Sequence, residues 1–111
     1  MKTVNLKEGM PRVRQALMQM ERELAAARAD GCDFVKLIHG YGSGGEGGEI
    51  RIAVQKRLLE MGERGEIRGV IFGENWAKSD ARAWKIVSAR KELKVDRDLG
   101  KGNRGITIVE L

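Results

Sequence analysis

Residues 34–51 read FVKLIHGYGSGGEGGEIR, and the rest of the chain is arranged around this stretch. Its apolar, β-branched part, Phe34–His39, predicts a buried strand, and a helix is predicted to begin near Glu49. Six of the nine residues from Gly40 to Gly48 are glycine. Glycine adds no side chain to a core and costs conformational entropy, so this run indicates positive φ angles or the close approach of another molecule. A strand, a glycine loop and a helix start offer backbone N–H groups to an anion, provided that the N–H groups after Ile38 have no partner inside the protein.

Size and composition describe one globular domain. The chain has 111 residues, of which 41% are hydrophobic and 33% are charged, enough for a single hydrophobic core. The net charge of +5 and the pI near 9.7 favour contact with phosphates, although many plain cytoplasmic domains are as basic.

Cysteine usage and hydropathy indicate a location. The single cysteine, Cys32, excludes an internal disulfide and indicates a reducing compartment. One cysteine and one histidine do not make a zinc site. Because no stretch has the pattern of a signal peptide or a membrane span, we expect a cytoplasmic protein without membrane contact.

Hydrophobic periodicity predicts alternating strands and helices. We expect strands over Thr3–Leu6, Phe34–His39, Ile67–Phe72 and Ile106–Leu111, and helices from Pro11 to the stop at Asp30–Gly31, from Glu49 to Met61, and from a cap at Ser79 or Asp80 to Leu93. This alternation predicts parallel neighbouring strands, with the helices on one face of a small sheet. The second and the last strand are apolar enough to be central.

The segment from about residue 75 to residue 100 departs from this regular alternation. Trp84 and Val87 can share an apolar stripe on its helix, whereas Ile86 and Leu93 do not fall on that stripe. Both Trp84 and Trp76 are predicted to be buried against the core, and a partner surface is the alternative. Basic residues recur along the segment and form either a positive surface or an ordinary solvated face: Arg82, Lys85, Arg90, Lys91 and Lys94.

The glycine loop differs from the common nucleotide-binding loops. Residues 40–45 fit the spacing G-x-G-x-x-G, but a dinucleotide fold needs more strand–helix units and an acid on the next strand. A nucleotide-hydrolase loop closes with Lys-Ser or Lys-Thr, where this chain has Glu49–Ile50. The loop is therefore interpreted as a loose cradle for a phosphodiester backbone. At its base, His39 is either a general acid or base or a hydrogen-bonded structural residue, and Tyr41 either stacks on a base or covers the loop.

Two motifs together point to a known family. The loop Ile38–Gly45 reads IHGYGSGG, Ile50–Val54 follows it, and the chain closes with GITIVEL at Gly105–Leu111. In this order the motifs resemble the Smr (small MutS-related) domain over nearly the whole chain. The resemblance implies a two-layer α/β sandwich with a four-stranded mixed sheet, like the C-terminal domain of a translation initiation factor. Residues 1–111 then form a single domain, and the segment from about 75 to 100 is an insertion before the last strand.

The first strand departs from the family's other motif, Leu-Asp-x-His. The aligned residues are Val4–Lys7, in which Asn5 replaces the acid and Lys7 replaces the histidine. Asparagine cannot ionise, and a lysine ammonium is charged at neutral pH. Asn5 can still form hydrogen bonds and Lys7 can still neutralise a phosphate, so the residues retain the binding half of the family's function and put the cleavage half in question. Of the two motifs, His39 alone keeps a proton-transfer group.

The resemblance implies binding to DNA or RNA, and several members of the family cleave nucleic acid. Candidate catalytic residues are His39, Lys7 and Asn5. The residues predicted to contact the phosphodiester backbone are Gly40, Tyr41, Gly42, Ser43, Gly44, Gly45, Arg51, Lys101 and Arg104. The last two are expected near the glycine loop because the loop before a central last strand returns to the same edge of the sheet.

The resemblance and the sequence together lead to predictions about partners and cofactors. Single-stranded or structured nucleic acid is favoured over a duplex, since the sequence contains no evident recognition helix. No cofactor is evident and no metal ligand is assigned, while a divalent metal goes with the nuclease hypothesis. The alternative is a protein-interaction module that does not bind nucleic acid.

Overall fold

The computed structural model describes residues 1–42 and 46–111, with the backbone alone at residues 46 and 47. Ser43, Gly44 and Gly45 of the predicted binding loop lie outside the described residues. The elements are β1 (Lys2–Asn5), α1 (Val13–Ala29), β2 (Phe34–Ile38), α2 (Glu46–Glu63), β3 (Gly69–Phe72), α3 (Ala81–Ala89) and β4 (Ile106–Glu110). Two short 3-10 helices, Gly73–Asn75 and Lys91–Val95, flank α3. The order of the four strands and three α-helices along the chain agrees with the sequence prediction.

The four strands form one mixed sheet in the order β1-β2-β4-β3. β1 and β2 are parallel, and β4 runs antiparallel to both β2 and β3. The predicted mixed α/β class and the central positions of β2 and β4 are confirmed. The expectation of parallel neighbours holds for β1 and β2 alone. β4 begins at Ile106, opposite Ile38 at the end of β2, and therefore runs back between β2 and β3.

The helices α1 and α2 pack on one face of the sheet. Apolar residues three and four apart in α1 are buried, and those of α2 join the same cluster with one face of β1, β2 and β4. Both helices end in a Schellman motif around a glycine with positive φ, Gly31 and Gly65. Cys32 N donates to Ala27 O at 2.9 Å, and Glu66 N donates to Met61 O at 2.8 Å.

The opposite face of the sheet is covered by α3 and the turn at Lys91–Val95. Trp76, Ile86 and Leu93 are buried there against Ile106 and Ile108 of β4. Both faces of the sheet therefore carry an apolar cluster, which corrects the expectation that the helices lie on one face. The reason is that β2 and β4 are apolar on both sides, as central strands of a covered sheet are.

The third helix is shorter than predicted. It begins after Asp80, whose carboxylate accepts a hydrogen bond from Ala83 N at 3.0 Å, and it ends at Ala89 instead of Leu93. The chain leaves the helix at Arg90, whose guanidinium pairs with Asp33 and lies 5.9 Å from the ring centre of Phe34.

The buried stripe of α3 is also different from the predicted one. It consists of Ala83, Ile86 and Val87. Trp84 lies beside it and stays 46% exposed, whereas Trp76 is fully buried. The predicted stripe was therefore right for Val87 and wrong for Trp84, and Ile86, which was placed off that stripe, belongs to the buried one. Leu93 is buried in the 3-10 helix that follows α3.

The second helix begins at Glu46, before the predicted start at Glu49, and includes Gly47 and Gly48 in its first turn. Among the helices of residues 1–42 and 46–111, none combines the length and the apolar character that a membrane span needs.

Candidate nucleic-acid interface

An open groove of about 1120 Å³ lies over β1 and β2, on the face of the sheet that α3 leaves uncovered at this end. Side chains of β1 and of the turn after it form one wall, and residues 96–98 form the other. The end of β2 and the first glycines of the loop close one end. The lining includes Thr3, Asn5, Lys7, Met10, Lys36, Ile38, Tyr41, Gly42, Asp96, Arg97, Asp98 and Asn103.

The β1 wall depends on a turn that Asn5 stabilises. The side-chain oxygen of Asn5 accepts hydrogen bonds from Lys7 N at 3.0 Å and Glu8 N at 3.1 Å. Such an Asx turn redirects the chain at the end of the strand. It leaves Lys7 exposed, with its aliphatic stem beside the loop: a Cβ placed on Gly40 would lie 3.6 Å from Lys7 Cδ. The structure thus brings Asn5, Lys7 and Gly40 together.

The two glycine loops meet, as the sequence predicts. His39 N and Gly40 N both donate to Gly105 O, at 2.9 and 3.0 Å, and Gly105 N donates to the side chain of Asn103 at 2.8 Å. These first two N–H groups after Ile38 are therefore occupied inside the protein and do not face an anion. The cradle interpretation is limited to the loop beyond Gly40.

Positive φ angles occur where the loop begins. Gly40 has a φ of 72° and Gly42 a φ of 79°. L-residues with side chains rarely adopt this conformation, which explains the glycines at these two positions. Tyr41 between them is 57% exposed at the rim of the groove.

The His39 side chain is fully buried, and both ring nitrogens have partners. Nδ1 donates to Gly40 O at 2.5 Å, and Nε2 lies 2.8 Å from the Thr107 hydroxyl, which donates to it in this tautomer. Burial lowers the pKa of His39, the hydrogen bond to Gly40 opposes this change, and the nearby Arg51 charge lowers the pKa further. The imidazole is therefore neutral at pH 7. The alternation of side chains along β2 directs the ring to the α2 face of the sheet. His39 belongs to the lining of the groove at the end of β2, but it has no exposed surface there.

The other predicted cations occupy different places. Arg51 lies on α2 near His39, where its guanidinium is 3.4 Å from the Glu74 carboxylate, and the structure does not bring it to the groove. Lys101 and Arg104 are exposed on the second glycine loop, outside the lining of the groove. The functional roles assigned to all these residues stay predictions.

The sequence prediction missed a charged cluster in the groove. Lys36, in the middle of β2, is buried, and its Nζ lies 2.7 Å from Asp96 and 2.6 Å from Asp98. Trp76 Nε1 donates to Asp96 at 2.9 Å, and Asn103 donates to Asp98 at 3.0 Å. Burial acts to raise the pKa of Asp98, but the hydrogen bonds from Lys36 and Asn103 outweigh it and lower that pKa below its usual value.

A signal for this cluster was present in the sequence. Lys36 interrupts an otherwise apolar strand, and a buried ammonium needs an acidic partner. The spacing Asp96-x-Asp98 supplies two carboxylates, and Arg97 between them is exposed and lines the groove. Among the residues that the structure describes, no three His, Cys, Asp or Glu side chains converge into a metal-binding group.

Comparison with solved structures identifies a protein domain with a similar fold. The structure is similar to the crystal structure of the Smr domain of Thermus thermophilus MutS2, with a TM-score of 0.62 and 23% sequence identity. The match covers 100% of this chain and 98% of that chain. No protein-family model and no curated protein matches the sequence. The chain therefore has the fold of an Smr domain along its whole length.

Proposed function

We propose that this protein binds the phosphodiester backbone of nucleic acid along the groove beside β1. The observation that carries the proposal is the placement of two exposed cations, Lys7 and Arg97, on opposite walls of one open groove. The positive-φ backbone at Gly40 and Gly42 lies at its end. The Smr-like fold and the loop motif at Ile38–Gly45 support the same proposal.

The electrostatics of the groove are compatible with an anionic ligand. The two carboxylates of Asp96 and Asp98 share the Lys36 ammonium, which leaves one negative charge that Arg97 offsets. Lys7 then makes the groove positive, and Lys101 and Arg104 add exposed charge on the adjoining loop. Contact is expected to be spread along a chain of phosphates because these cations are exposed, and Lys101 and Arg104 lie outside the lining of the groove.

Cleavage is not part of this proposal. Asn5 uses its side-chain oxygen to hold the turn, and the ring nitrogens of His39 bond to Gly40 and Thr107. Neither side chain offers the groove a group that exchanges a proton at neutral pH. Lys7 is placed to neutralise a phosphate.

Binding is tested with a labelled single-stranded RNA and a DNA of the same sequence at increasing salt. Each phosphate contact to a single strand contributes about 0.7 to the slope of log affinity against log salt. We expect the variant Lys7→Ala/Arg97→Ala/Arg104→Ala to lose at least about tenfold in affinity and to lower the slope by about 2. The matched control is Arg14→Ala/Arg22→Ala/Lys56→Ala, which removes three exposed cations from α1 and α2. Equal losses in the two triple variants, or binding that does not depend on salt, would refute groove binding and favour a protein partner.

Cleavage is tested separately on RNA and supercoiled plasmid. We expect no difference between the wild type and His39→Ala. The variant Asn5→Asp/Lys7→His restores the family residues on the β1 wall. Activity in the wild type that disappears in His39→Ala would overturn the proposal of binding without cleavage.

A further inference from the structure

The net charge of the protein is confined to one part of the chain. Residues 76–105 contain nine Lys and Arg and four Asp and Glu, a net charge of +5. The remaining residues contain equal numbers of basic and acidic side chains. The segment that covers the second face of the sheet therefore accounts for the whole excess of positive charge.

Most of the basic side chains of this segment are exposed, and two of them form ion pairs with acids elsewhere in the chain. Arg82 pairs with Glu110, and Arg90 pairs with Asp33. Two of the four acids, Asp96 and Asp98, are bound to Lys36 of the sheet. The exposed cations of the segment that have no ion pair among the described residues are Lys78, Lys85, Lys91, Lys94, Arg97, Lys101 and Arg104.

An exposed aromatic side chain lies in this positive segment of the chain. Trp84 of α3 is 46% exposed, although the helix has a buried stripe on which a large apolar residue could have been placed. Its neighbours one turn away on the helix surface, Ala81 and Ser88, are small and exposed. Lys85 follows it directly. An exposed aromatic ring on a segment rich in exposed cations is suited to stack on a planar group attached to an anion.

We infer that α3 and the residues that flank it form a second contact surface that binds unpaired bases, with Trp84 stacking on a base and Lys78, Lys85 and Lys91 contacting the flanking phosphates. This inference rests on the proposed function and deepens it, because it specifies single-stranded nucleic acid or an unpaired region as the partner. A duplex offers the same phosphates but keeps its bases stacked on each other. Trp84, Lys78, Lys85 and Lys91 make up the α3 surface.

Charge separates the α3 surface from the exposed apolar side chains of α2. Ile52 and Leu59 are also exposed on α2, at 65% and 50%, but they lie in the part of the chain that has no net charge. A neutral protein partner would fit either the α3 surface or the exposed side chains of α2. A polyanion with flat bases fits the α3 surface, because cations and an aromatic ring are found together there.

The experiment follows the intrinsic fluorescence of the protein during titration with a mixed-sequence single-stranded RNA of 15 nucleotides. Trp76 is fully buried, so Trp84 is the tryptophan that a ligand can reach. We expect quenching by the single strand. Heparin, a polyanion without bases, is expected to bind at low salt without quenching.

Two substitutions at one position separate stacking from apolar contact. Trp84→Phe keeps a ring, and Trp84→Leu keeps apolar area on a helix-forming residue. Base stacking on an aromatic side chain is worth about 1–3 kcal/mol, so Trp84→Leu is expected to weaken single-strand binding by roughly 5- to 150-fold and Trp84→Phe by much less. Affinity for the same sequence as a duplex is expected to change less than about twofold in both variants. Ile52→Leu is the control for an exposed apolar side chain on the other layer.

The outcomes distinguish this inference from the proposed function. Binding of the single strand by the wild type, with Trp84→Leu as tight as Trp84→Phe, overturns the stacking surface and leaves groove binding intact. Equal losses for single strand and duplex also overturn it. Absence of salt-dependent binding to any nucleic acid overturns the proposed function and this inference together.

Discussion

A single histidine joins the glycine loop to the sheet beneath it. The His39 ring donates to Gly40 O, its backbone N–H donates to Gly105 O, and the Thr107 hydroxyl lies against its second nitrogen. One residue therefore fixes the start of the first glycine loop and the end of the second. The sequence left two alternatives for His39, a proton-transfer group or a structural residue, because a strand-end histidine does not reveal on which side of the sheet its ring lies. The geometry favours the structural role.

We predict that acidification destabilises the protein through His39. The pKa of His39 lies below its ordinary value of 6.5 in the folded state because of burial, so the unfolded chain binds the proton first as the pH falls. The free energy of unfolding is expected to be constant above about pH 7 and to fall below about pH 6.5, by at most about 1.4 kcal/mol per pH unit. His39 is the single histidine of the chain, which makes the assignment clear.

Urea unfolding between pH 7.5 and pH 5 measures this slope, with His39→Gln as the comparison. Glutamine does not titrate, so the variant is expected to be less stable at pH 7 and nearly independent of pH over this window. The pKa of Asp98 is lowered from 3.8, and its contribution is therefore lost only at more acidic pH. The same slope in the wild type and in His39→Gln would contradict the prediction.

Elements with local signals were predicted well, and those that depend on tertiary contacts were not. The stops of α1 and α2 follow from Gly31 and Gly65, which alone allow the positive φ of their turns at no steric cost. The apolar runs of β2 and β4 predicted their central positions. By contrast, α3 ends before the predicted Leu93, and the residue that follows it, Arg90, contacts Asp33 and Phe34, which are distant in sequence.

In the groove, too, the features that depend on contacts distant in sequence were not predicted. The glycine loop and Lys7 could be found from motif and spacing. The opposite wall was missed. Lys36 in an apolar strand indicates that an acidic partner exists, but motif and spacing do not identify which acids, because Asp96 and Asp98 lie 60 and 62 residues away in sequence. Trp84 was predicted to be buried because its size favours burial, whereas the buried stripe of α3 falls on Ala83, Ile86 and Val87.

The start of α3 provides a prediction at the scale of the element. The Asp80 carboxylate accepts from Ala83 N at 3.0 Å and so caps the helix, while Ser79 is exposed. Asp80→Ala is expected to lower the free energy of unfolding by about 1 kcal/mol, and Ser79→Ala by less than about 0.5 kcal/mol. Chemical denaturation of both variants checks this difference. If the two losses were equal, Asp80 would not be the cap.

At the scale of the whole molecule, the positive segment of residues 76–105 packs on a remainder of the chain that has no net charge. The apolar contacts of Trp76, Ile86 and Leu93 hold it to the sheet, and Lys36 joins it by ion pairs to Asp96 and Asp98. These pairs also form the floor and one wall of the groove. The cluster therefore couples the stability of the α3 side of the protein to the shape of the proposed binding site.

We predict that removal of the Lys36 charge loosens this side of the molecule. Lys36→Met leaves two carboxylates without their ammonium partner, and breaking a buried pair in this way costs about 3–5 kcal/mol. The triple variant Lys36→Met/Asp96→Asn/Asp98→Asn removes the unpaired charges and is expected to recover much of that loss. Lys56→Met, at an exposed position of α2, is the matched control and is expected to change stability by less than about 0.5 kcal/mol. Urea unfolding measures the four proteins, and a loss below about 1 kcal/mol in Lys36→Met, or a triple variant less stable than Lys36→Met, would show that the ion pairs do not hold the segment to the sheet.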